Sequence, residues 1–249
     1  MGRFDGQVVL VTGGSGIIGS GVIQLFLEEG ATVLAPGRSN KSVQTVHDDL
    51  KDLTYPAERL WAPVKDVGRP ADLAALASEI KAKWGGLDHV VAISGGWWDK
   101  GGLLDISQAD FLEELNARAG AHFNIAHAFI PLLKPSSQSS YTMVTGMAGE
   151  RVIMKGASMI TVCNAAQYGM ALHYFAETAD SPVRVNEIRI GALIKKHAAL
   201  AVGHAVEGHL SGWKSNSNRV MAKVLADIIL SGKKGEVVRV TQETLDAAS

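Results

Sequence analysis

Three glycines near the amino terminus have the type and spacing of a phosphate-binding turn. Gly13, Gly16 and Gly19 follow a short apolar run and open a segment with helical periodicity. Glycines allow a tight turn and the close approach of a pyrophosphate, and a helix amino terminus presents free N–H groups to it. After a first strand, such a turn favours a bound dinucleotide over an ordinary loop. The residues predicted to line this site are Gly13, Ser15, Gly16, Ile17, Ile18 and Gly19.

Two neighbouring tryptophans have the chemistry of a wall for a small organic substrate. Trp97 and Trp98 follow the apolar run at 87–95. In doubly wound folds, ligands bind at the edge where such strands end. Asp99 and Lys100 would then lie at the rim of the site. The alternative is that both rings pack against the segment 195–217 or against a partner subunit.

The elements that must position these residues alternate along the whole chain. Apolar runs typical of buried parallel strands are separated by segments of helical periodicity. This alternation predicts an α/β fold: a single Rossmann-type domain over 1–249, with a doubly wound parallel sheet and helices on both faces. Residues 195–217, rich in small residues, His and Gly, are predicted to form a mobile substrate loop. The predicted strands are 7–13, 31–37, 87–95, 140–146, 184–191 and 235–241.

Composition narrows the classes of partner and compartment. The formal net charge of −1 provides no broad field that would attract nucleic acid or a membrane surface. The single cysteine, Cys163, excludes an internal disulfide framework and suits a reducing compartment. We expect a cytoplasmic protein that acts on a small molecule, without a signal peptide or a membrane span. No metal site is predicted, because His122 and His127 are poorly spaced for one ion and no other ligand cluster accompanies them.

The chain resembles the short-chain dehydrogenase/reductase family over essentially its full length. The matching segments are TGGSGIIG (12–19), DV (66–67), GGLD and ISGG (85–96), RVN (184–186) and the final GEVVRV. The turn has TGxxGxxG spacing where the family usually has TGxxxGxG. The resemblance implies a nicotinamide cofactor and a homodimer or homotetramer that pairs through the helices at 109–133 and 157–176 and through the last strand. It also implies further cofactor contacts at Asp66 and Val67 (adenine), Ser94, Gly95 and Gly96 (ribose), and Gly191 and Leu193 (nicotinamide), with Lys195 at a position where threonine is usual.

The end of the second predicted strand indicates which nicotinamide cofactor is bound. NAD-preferring members of the family usually have an aspartate where Gly37 stands, and that carboxylate binds the ribose hydroxyls. Here Arg38 follows, with a fork suited to a 2′-phosphate. We therefore expect NADP(H) at Arg38 and Ser39, with NAD(H) or no cofactor as alternatives. An ordinary solvated arginine is the competing interpretation of Arg38.

All four catalytic positions implied by the resemblance are changed. The family uses a tyrosine acid/base, a lysine four residues later, a serine and an asparagine. In this chain Ile160, Asn164, Gly146 and Arg118 stand at those positions. Isoleucine has no ionisable group, so the usual proton donor is missing. We therefore interpret the chain as a divergent member of the family that lacks the Asn-Ser-Tyr-Lys tetrad.

Four other side chains are candidates to replace that chemistry. Arg118 has a permanent charge that could replace the charge of the family lysine or bind an anionic substrate, and an ordinary surface arginine is the competing interpretation. His122, one helical turn later, is a possible proton donor. Thr145 has a hydroxyl, although strand alternation points it away from the side of Gly146. Tyr168 lies about 12 Å along the helix from Ile160 and is expected to be a packing or interface residue.

Three functional hypotheses follow from this combination. The first is an NADP(H)-dependent reductase that acts on imine-like acceptors or on polarised carbonyls or alkenes, without the tyrosine acid. The second is a non-redox enzyme that orients a substrate in the cleft that the family uses for its redox reaction. The third is a catalytically inactive nucleotide-binding or partner protein. The cofactor turn favours the first.

Overall fold

A parallel sheet of seven strands runs through the computed structural model, which describes residues 2–201 and 213–249. Its order is β3-β2-β1-β4-β5-β6-β9, and each neighbouring pair is parallel. This confirms the doubly wound parallel sheet. The two-residue strand β3 was not predicted. The strands are β1 Val8–Val11, β2 Thr32–Leu34, β3 Leu60–Trp61, β4 His89–Ile93, β5 Ser140–Gly146, β6 Arg184–Ile190, β7 Leu193–Lys195, β8 Ser215–Ser217 and β9 Val237–Val240.

The helices connect these strands and cover both faces of the sheet, as the alternation of elements predicts. The long helical segment predicted at 109–133 is interrupted by a π-helical turn at Asn116–Gly120. Such turns often occur at functional sites. The helices in the described residues are α1 Ile17–Glu28, α2 Asn40–Asp49, α3 Pro70–Trp84, α4 Gln108–Leu115, α5 Ala121–Phe129, α6 Ser158–Glu177, α7 His197–Ala201, α8 Asn218–Leu230 and α9 Gln242–Ala247.

Strand β1 shows why the sheet is buried on both faces. All four of its residues are buried. Val9 and Val11 join a core formed with α1 and α8, whereas Val8 and Leu10 join a second core formed with α3, α5 and α6. Successive strand residues point to opposite faces, so a continuous apolar run is what a sheet covered on both sides requires.

A third apolar cluster lies beyond the two main cores. Its buried members include Trp98 from the segment after β4, and Ile160 and Cys163 from α6. Residues that precede and begin α6 therefore pack against the loop that follows β4. This cluster occupies the part of the molecule in which the sequence predicts substrate contacts.

The segment 195–217 is more ordered at its ends than the predicted mobile loop. Strand β7 pairs in parallel with β8, with Ile194 opposite Asn216. The side chain of Asn216 donates hydrogen bonds to the carbonyl oxygens of Leu193 and Lys214, each at 3.2 Å. The prediction was thus incorrect for the two ends of the segment, because this small sheet fixes them. The central part, 202–212, lies outside the described residues.

Over the described ranges, none of the helices combines the length and the apolar character needed to span a lipid bilayer.

Candidate functional site

The turn after β1 accepts only glycine at two of its positions. Gly13 has a φ of +65°, a left-handed conformation. A Cβ there would lie 2.7 Å from the carbonyl oxygen of Ile93. A Cβ on Gly19 would collide with the Gly13 carbonyl oxygen. The turn therefore brings the start of α1 close to the end of β4.

The amino terminus of α1 is open to an anion. Gly16 is the N-cap, and no side chain caps the helix or places a carboxylate in its first turn. Gly13, Gly16 and Ile17 are exposed, Ser15 is partly buried, and Ile18 packs against the core. The first N–H groups of a helix have no partner within it, so this end can bind a phosphate group.

Gly37 and Arg38 form the second part of the cofactor candidate. Gly37 is buried, and a Cβ there would lie 2.9 Å from Cγ2 of Val43 and 3.0 Å from its backbone nitrogen. An aspartate at 37 would therefore require α2 to shift. Arg38 is exposed, and its guanidinium has no ion pair within the described residues. Ser39 caps α2 by accepting a hydrogen bond from the Ser42 N–H at 3.2 Å.

Asp66 and Val67, expected at the adenine, lie on the loop between β3 and α3. The Asp66 carboxylate accepts a hydrogen bond from the Gly68 N–H at 2.9 Å. The backbone N–H of Asp66 donates to the Asp72 carboxylate at 3.0 Å. Val67 packs against the second core. These contacts fix the loop that would border the adenine.

The three residues expected at the ribose are connected to the π-helical turn by Arg118. Its Nη1 donates to the Gly96 carbonyl oxygen at 2.6 Å, and its Nε donates to Glu114 at 2.8 Å. Gly95 has a φ of +99°, and a Cβ there would lie 2.9 Å from Nη1 of Arg118. The Ser94 hydroxyl donates to the Ala117 carbonyl oxygen at 3.3 Å. Arg118 therefore already has a carboxylate partner and orders the loop, which argues against a free cation for an anionic substrate.

His122 lies beneath this loop and is completely buried. Burial lowers its pKa to about 4, and the Ser94 backbone offsets only part of that effect. The imidazole is therefore neutral near pH 7 and has no proton to donate as an imidazolium. The structure does not support the expectation that His122 is a proton donor.

Tyr168 and Asn164 connect α6 to the end of β5. The Tyr168 hydroxyl donates to the Gly146 carbonyl oxygen at 2.5 Å and accepts from the Gly149 N–H at 3.2 Å. Burial raises the pKa of this phenol. The Gly146 N–H donates to Oδ1 of Asn164 at 3.2 Å. Tyr168 is therefore a packing residue of the β5–α6 junction, as its distance from Ile160 indicates.

Thr145 points away from Gly146 into a buried ionic network. Its hydroxyl donates to Glu187 at 2.7 Å. Glu187 is fully buried and pairs with Arg189 at 2.8 Å. The Arg189 guanidinium lies 3.4 Å above the ring of Tyr168 and also pairs with Glu150 at 2.8 Å. The Thr145 hydroxyl is therefore hydrogen-bonded within this buried network and is not available to a substrate.

The two tryptophans have different environments. Trp98 is only 4% exposed and belongs to the apolar cluster that contains Ile160, whereas Trp97 is 49% exposed. Trp98 is thus a packing residue, and Trp97 remains the candidate for substrate contact. Ile160, at the position of the family tyrosine, is 9% exposed within the same cluster.

Gly191 and Leu193 follow β6 at the edge expected for the nicotinamide. The Gly191 N–H donates to the Val240 carbonyl oxygen at 2.9 Å. A Cβ on Gly191 would collide with the sulfur of Met147. Leu193 begins β7, and Lys195 ends it opposite Ser217. The carboxyl ends of β5 and β6 thus meet at a surface formed by Met147 and glycine backbone.

The sequence interpretation did not identify Met147, Glu187 or Arg189 as parts of this region. Met147 follows the family serine position and carries no local signal. Glu187 and Arg189 are charged residues two apart on one face of an otherwise buried strand. That alternation was a signal for a buried ion pair. Within residues 2–201 and 213–249, no group of three or more His, Cys, Asp or Glu side chains is arranged to bind a metal ion.

Comparison with known proteins identifies the family. The family model described as Enoyl-(Acyl carrier protein) reductase matches residues 14–223. The chain is 28% identical to Oxidoreductase UcpA of Escherichia coli K12 over 188 residues, which cover 76% of this chain and 70% of that protein. It is 29% identical to Short-chain dehydrogenase/reductase fsr5 of Gibberella fujikuroi over 261 residues, which cover 98% of this chain and 96% of that protein.

A solved structure shares the fold. The NADPH-bound short-chain oxidoreductase of Pseudomonas aeruginosa PAO1, described as containing an atypical catalytic center, has a TM-score of 0.79 and 21% identity. The alignment covers 96% of this chain and 97% of that one. Together with the glycine turn and the parallel sheet, these matches show that the chain belongs to the short-chain dehydrogenase/reductase family of oxidoreductases.

Proposed function

We propose that the protein is an NADP(H)-dependent reductase of activated small molecules. The observation that carries this proposal is the open amino terminus of α1 after β1, together with buried Gly37 and exposed Arg38 after the neighbouring parallel strand β2. The turn at 13–19 would hold the pyrophosphate through backbone N–H groups, and Arg38 would bind a 2′-phosphate. When bound, the nicotinamide supplies a hydride.

The residues around Gly146 favour acceptors that need no proton from the protein. Ile160 has no ionisable group, the Tyr168 hydroxyl is occupied by two backbone groups, and His122 is buried and neutral. A simple ketone that accepts a hydride becomes an alkoxide and needs a positioned acid. Imine-like acceptors and polarised carbonyls or alkenes need that acid less. We therefore propose an activated acceptor as the substrate.

A second candidate function is nucleotide binding without catalysis. It is favoured by the apolar cluster of Trp98 and Ile160, which fills the position of the family tyrosine. Titration with NADPH, followed by NADPH oxidation assays with imine, enone and ketone acceptors, distinguishes the two functions. Tight binding without turnover of any acceptor would favour the non-catalytic function, and absence of NADPH binding would contradict both.

Replacement of Arg38 should separate the two nicotinamide cofactors. Because one charge-assisted hydrogen bond contributes about 1.5–3 kcal/mol, we expect Arg38→Ala to weaken NADPH binding by about 10- to 100-fold. Binding of NADH should change little, since it has no 2′-phosphate. Isothermal titration calorimetry measures both affinities, with Arg151→Ala, an exposed arginine before α6, as the control. Equal affinity of the wild type for NADPH and NADH would contradict this assignment.

We also propose that the protein is a homodimer or homotetramer in the cytoplasm. Phe123 is 51% exposed on α5, beside a shallow cleft of about 630 Å³ that α5 and α6 border. Leu112 and Leu172, at 49% and 61%, are exposed on the neighbouring helices. Apolar side chains on helices of this kind are typical of an interface between copies. The single, buried cysteine supports the cytoplasmic location.

The oligomer should dissociate when a charge is introduced on this surface. We expect Phe123→Glu to lower the mass measured by light scattering at micromolar concentration towards that of one chain. Leu104→Glu is the control, because Leu104 is fully exposed on the loop before α4. A monomer mass for the wild-type protein would contradict the proposal.

A further inference from the structure

Gly146 and Asn164 form a complementary pair at the end of β5. Gly146 is the last residue of the strand, and Asn164 lies on α6, 18 residues later. The Gly146 N–H donates to Oδ1 of Asn164 at 3.2 Å. A backbone N–H can only donate, so it requires the oxygen of the amide to face it. The oxygen of the Asn164 amide therefore faces the Gly146 N–H, and its NH2 group points in the other direction available to the planar amide.

That NH2 group lies next to the position that a side chain at residue 146 would occupy. A Cβ built on Gly146 would lie 3.2 Å from Nδ2 of Asn164. A side chain at 146 would therefore require the amide to shift by a few tenths of an ångström. The amide nitrogen therefore occupies the neighbourhood of the missing side chain, at the carboxyl end of β5.

The NH2 group is an oriented donor that makes no hydrogen bond to the described part of the chain. Asn164 is partly buried, and its Nδ2 makes no hydrogen bond to any residue in 2–201 or 213–249. The junction around it is held by Tyr168, which bonds to Gly146 and Gly149. A fixed donor that needs no reorganisation stabilises a negative charge that develops beside it.

We propose that the Asn164 amide donates a hydrogen bond to the oxygen of a conjugated carbonyl substrate. This inference rests on the proposed reductase function and narrows its acceptors to α,β-unsaturated carbonyls. A hydride from NADPH forms a C–H bond at the β-carbon, while the C=C electron pair moves to give an enolate. The enolate oxygen accepts the Asn164 hydrogen bond, and the α-carbon then takes a proton from water. NADPH is oxidised as the substrate is reduced.

Two features of the site favour this acceptor over the others. An enolate is delocalised and does not need the acid that an alkoxide needs, which suits a site with Ile160 at the tyrosine position. A protonated imine has no lone pair to accept a bond from an NH2 group, so Asn164 would not help it. The uncharged NH2 group of Asn164 can donate one hydrogen bond to a carbonyl oxygen that becomes negatively charged during the reduction.

The test uses 4-nitrophenolate as a stand-in for the enolate oxygen. Its binding to the NADP⁺-saturated protein is followed by absorbance titration, which requires no turnover. Because a hydrogen bond to a charged group is lost, we expect Asn164→Asp and Asn164→Leu to weaken binding by about 10- to 100-fold. Asn164→Asp keeps an oxygen acceptor for the Gly146 N–H but adds a charge that itself repels the phenolate, so the uncharged Asn164→Leu variant must show the same loss for the donor to be responsible. Gln138→Glu, the same change of charge in an exposed turn, should leave the affinity unchanged.

The outcomes separate this inference from the proposed function. Unchanged affinity in both Asn164 variants, or no binding by the wild type, overturns the role of Asn164. Binding that depends on Asn164, with no NADPH oxidation by any acceptor, supports the oxygen site and rejects the reductase function. With turnover, Asn164→Leu, which removes the donor without adding a charge, should slow the reduction of 2-cyclohexen-1-one about 10- to 100-fold. The same variant should leave the reduction of 2-methyl-1-pyrroline unchanged, and equal losses for both substrates would contradict the inference.

Discussion

The wild-type protein should reduce simple ketones very slowly, and Ile160→Tyr combined with Asn164→Lys should raise that rate by about 10²- to 10⁴-fold. The alkoxide that forms from a ketone needs a positioned acid, which Ile160 cannot supply. A tyrosine at 160 and a lysine at 164 lie one turn apart on the same face of α6. The lysine would lower the pKa of the phenol. The measurement is NADPH oxidation with a panel of ketones and aldehydes.

A matched control isolates the hydroxyl group. Ile160→Phe with Asn164→Lys adds the same ring to the apolar cluster and the same charge to α6, but no acid. It should leave ketone reduction at the wild-type rate. Fast reduction of simple ketones by the wild type, with a rate indifferent to Arg118→Ala, would show that the catalytic position has been placed incorrectly.

Loss of the buried carboxylate of Glu187 should strongly destabilise the fold. Glu187 is fully buried and accepts from both Thr145 and Arg189. Glu187→Gln keeps the shape of the side chain but leaves the 10%-exposed guanidinium of Arg189 without its buried counter-charge. Removing one partner of a buried ion pair costs about 3–5 kcal/mol, and the remaining pair with Glu150 places the expected loss at the lower end. Urea denaturation measures the free energy of unfolding.

An exposed ion pair provides the comparison. Glu236 pairs with Lys233 at 2.7 Å, and both side chains are more than one-third exposed. Glu236→Gln should therefore lower the free energy of unfolding by no more than about 1 kcal/mol. Replacing Glu187 and Arg189 together by methionine should recover much of the loss, because no buried charge then remains unpaired. Equal effects of Glu187→Gln and Glu236→Gln would contradict the structural importance of this network.

Local patterns in the sequence were enough to predict the sheet and the glycine turn after β1. Strand β1 is a continuous apolar run, and burial on both faces is the only environment that suits it. A Cβ on Gly13 would meet the carbonyl oxygen of Ile93 at the end of β4, and a Cβ on Gly19 would meet that of Gly13. Only glycine therefore fits at these two positions. Strand ends were less accurate: the segment predicted at 31–37 narrows to Thr32–Leu34. The π-helical turn at Asn116–Gly120 left no signal, because a single turn of five residues is too short to change the helical pattern around it.

The candidate catalytic residues could be located from the sequence, but their partners could not. The resemblance placed Arg118 and Thr145 near the cleft, yet the ion pair of Arg118 with Glu114 and the bond of Thr145 to Glu187 depend on how the side chains turn. Likewise, His122 shares a helix face with Arg118 in sequence. Its complete burial, which sets its pKa, is a property of the packed core.

The sequence by itself determined the doubly wound sheet, the glycine turn after β1 and the absence of a tyrosine–lysine pair, because each depends on residue type at short spacing. The tertiary structure decided how the remaining groups are used. Trp98 packs in one cluster with Ile160, and the Gly146 N–H turns the Asn164 amide so that its NH2 group stays free of the described residues. These contacts join residues 18 or more positions apart. They arise only when parallel strands bring their carboxyl ends to one edge, and no local pattern encodes which side chains then meet.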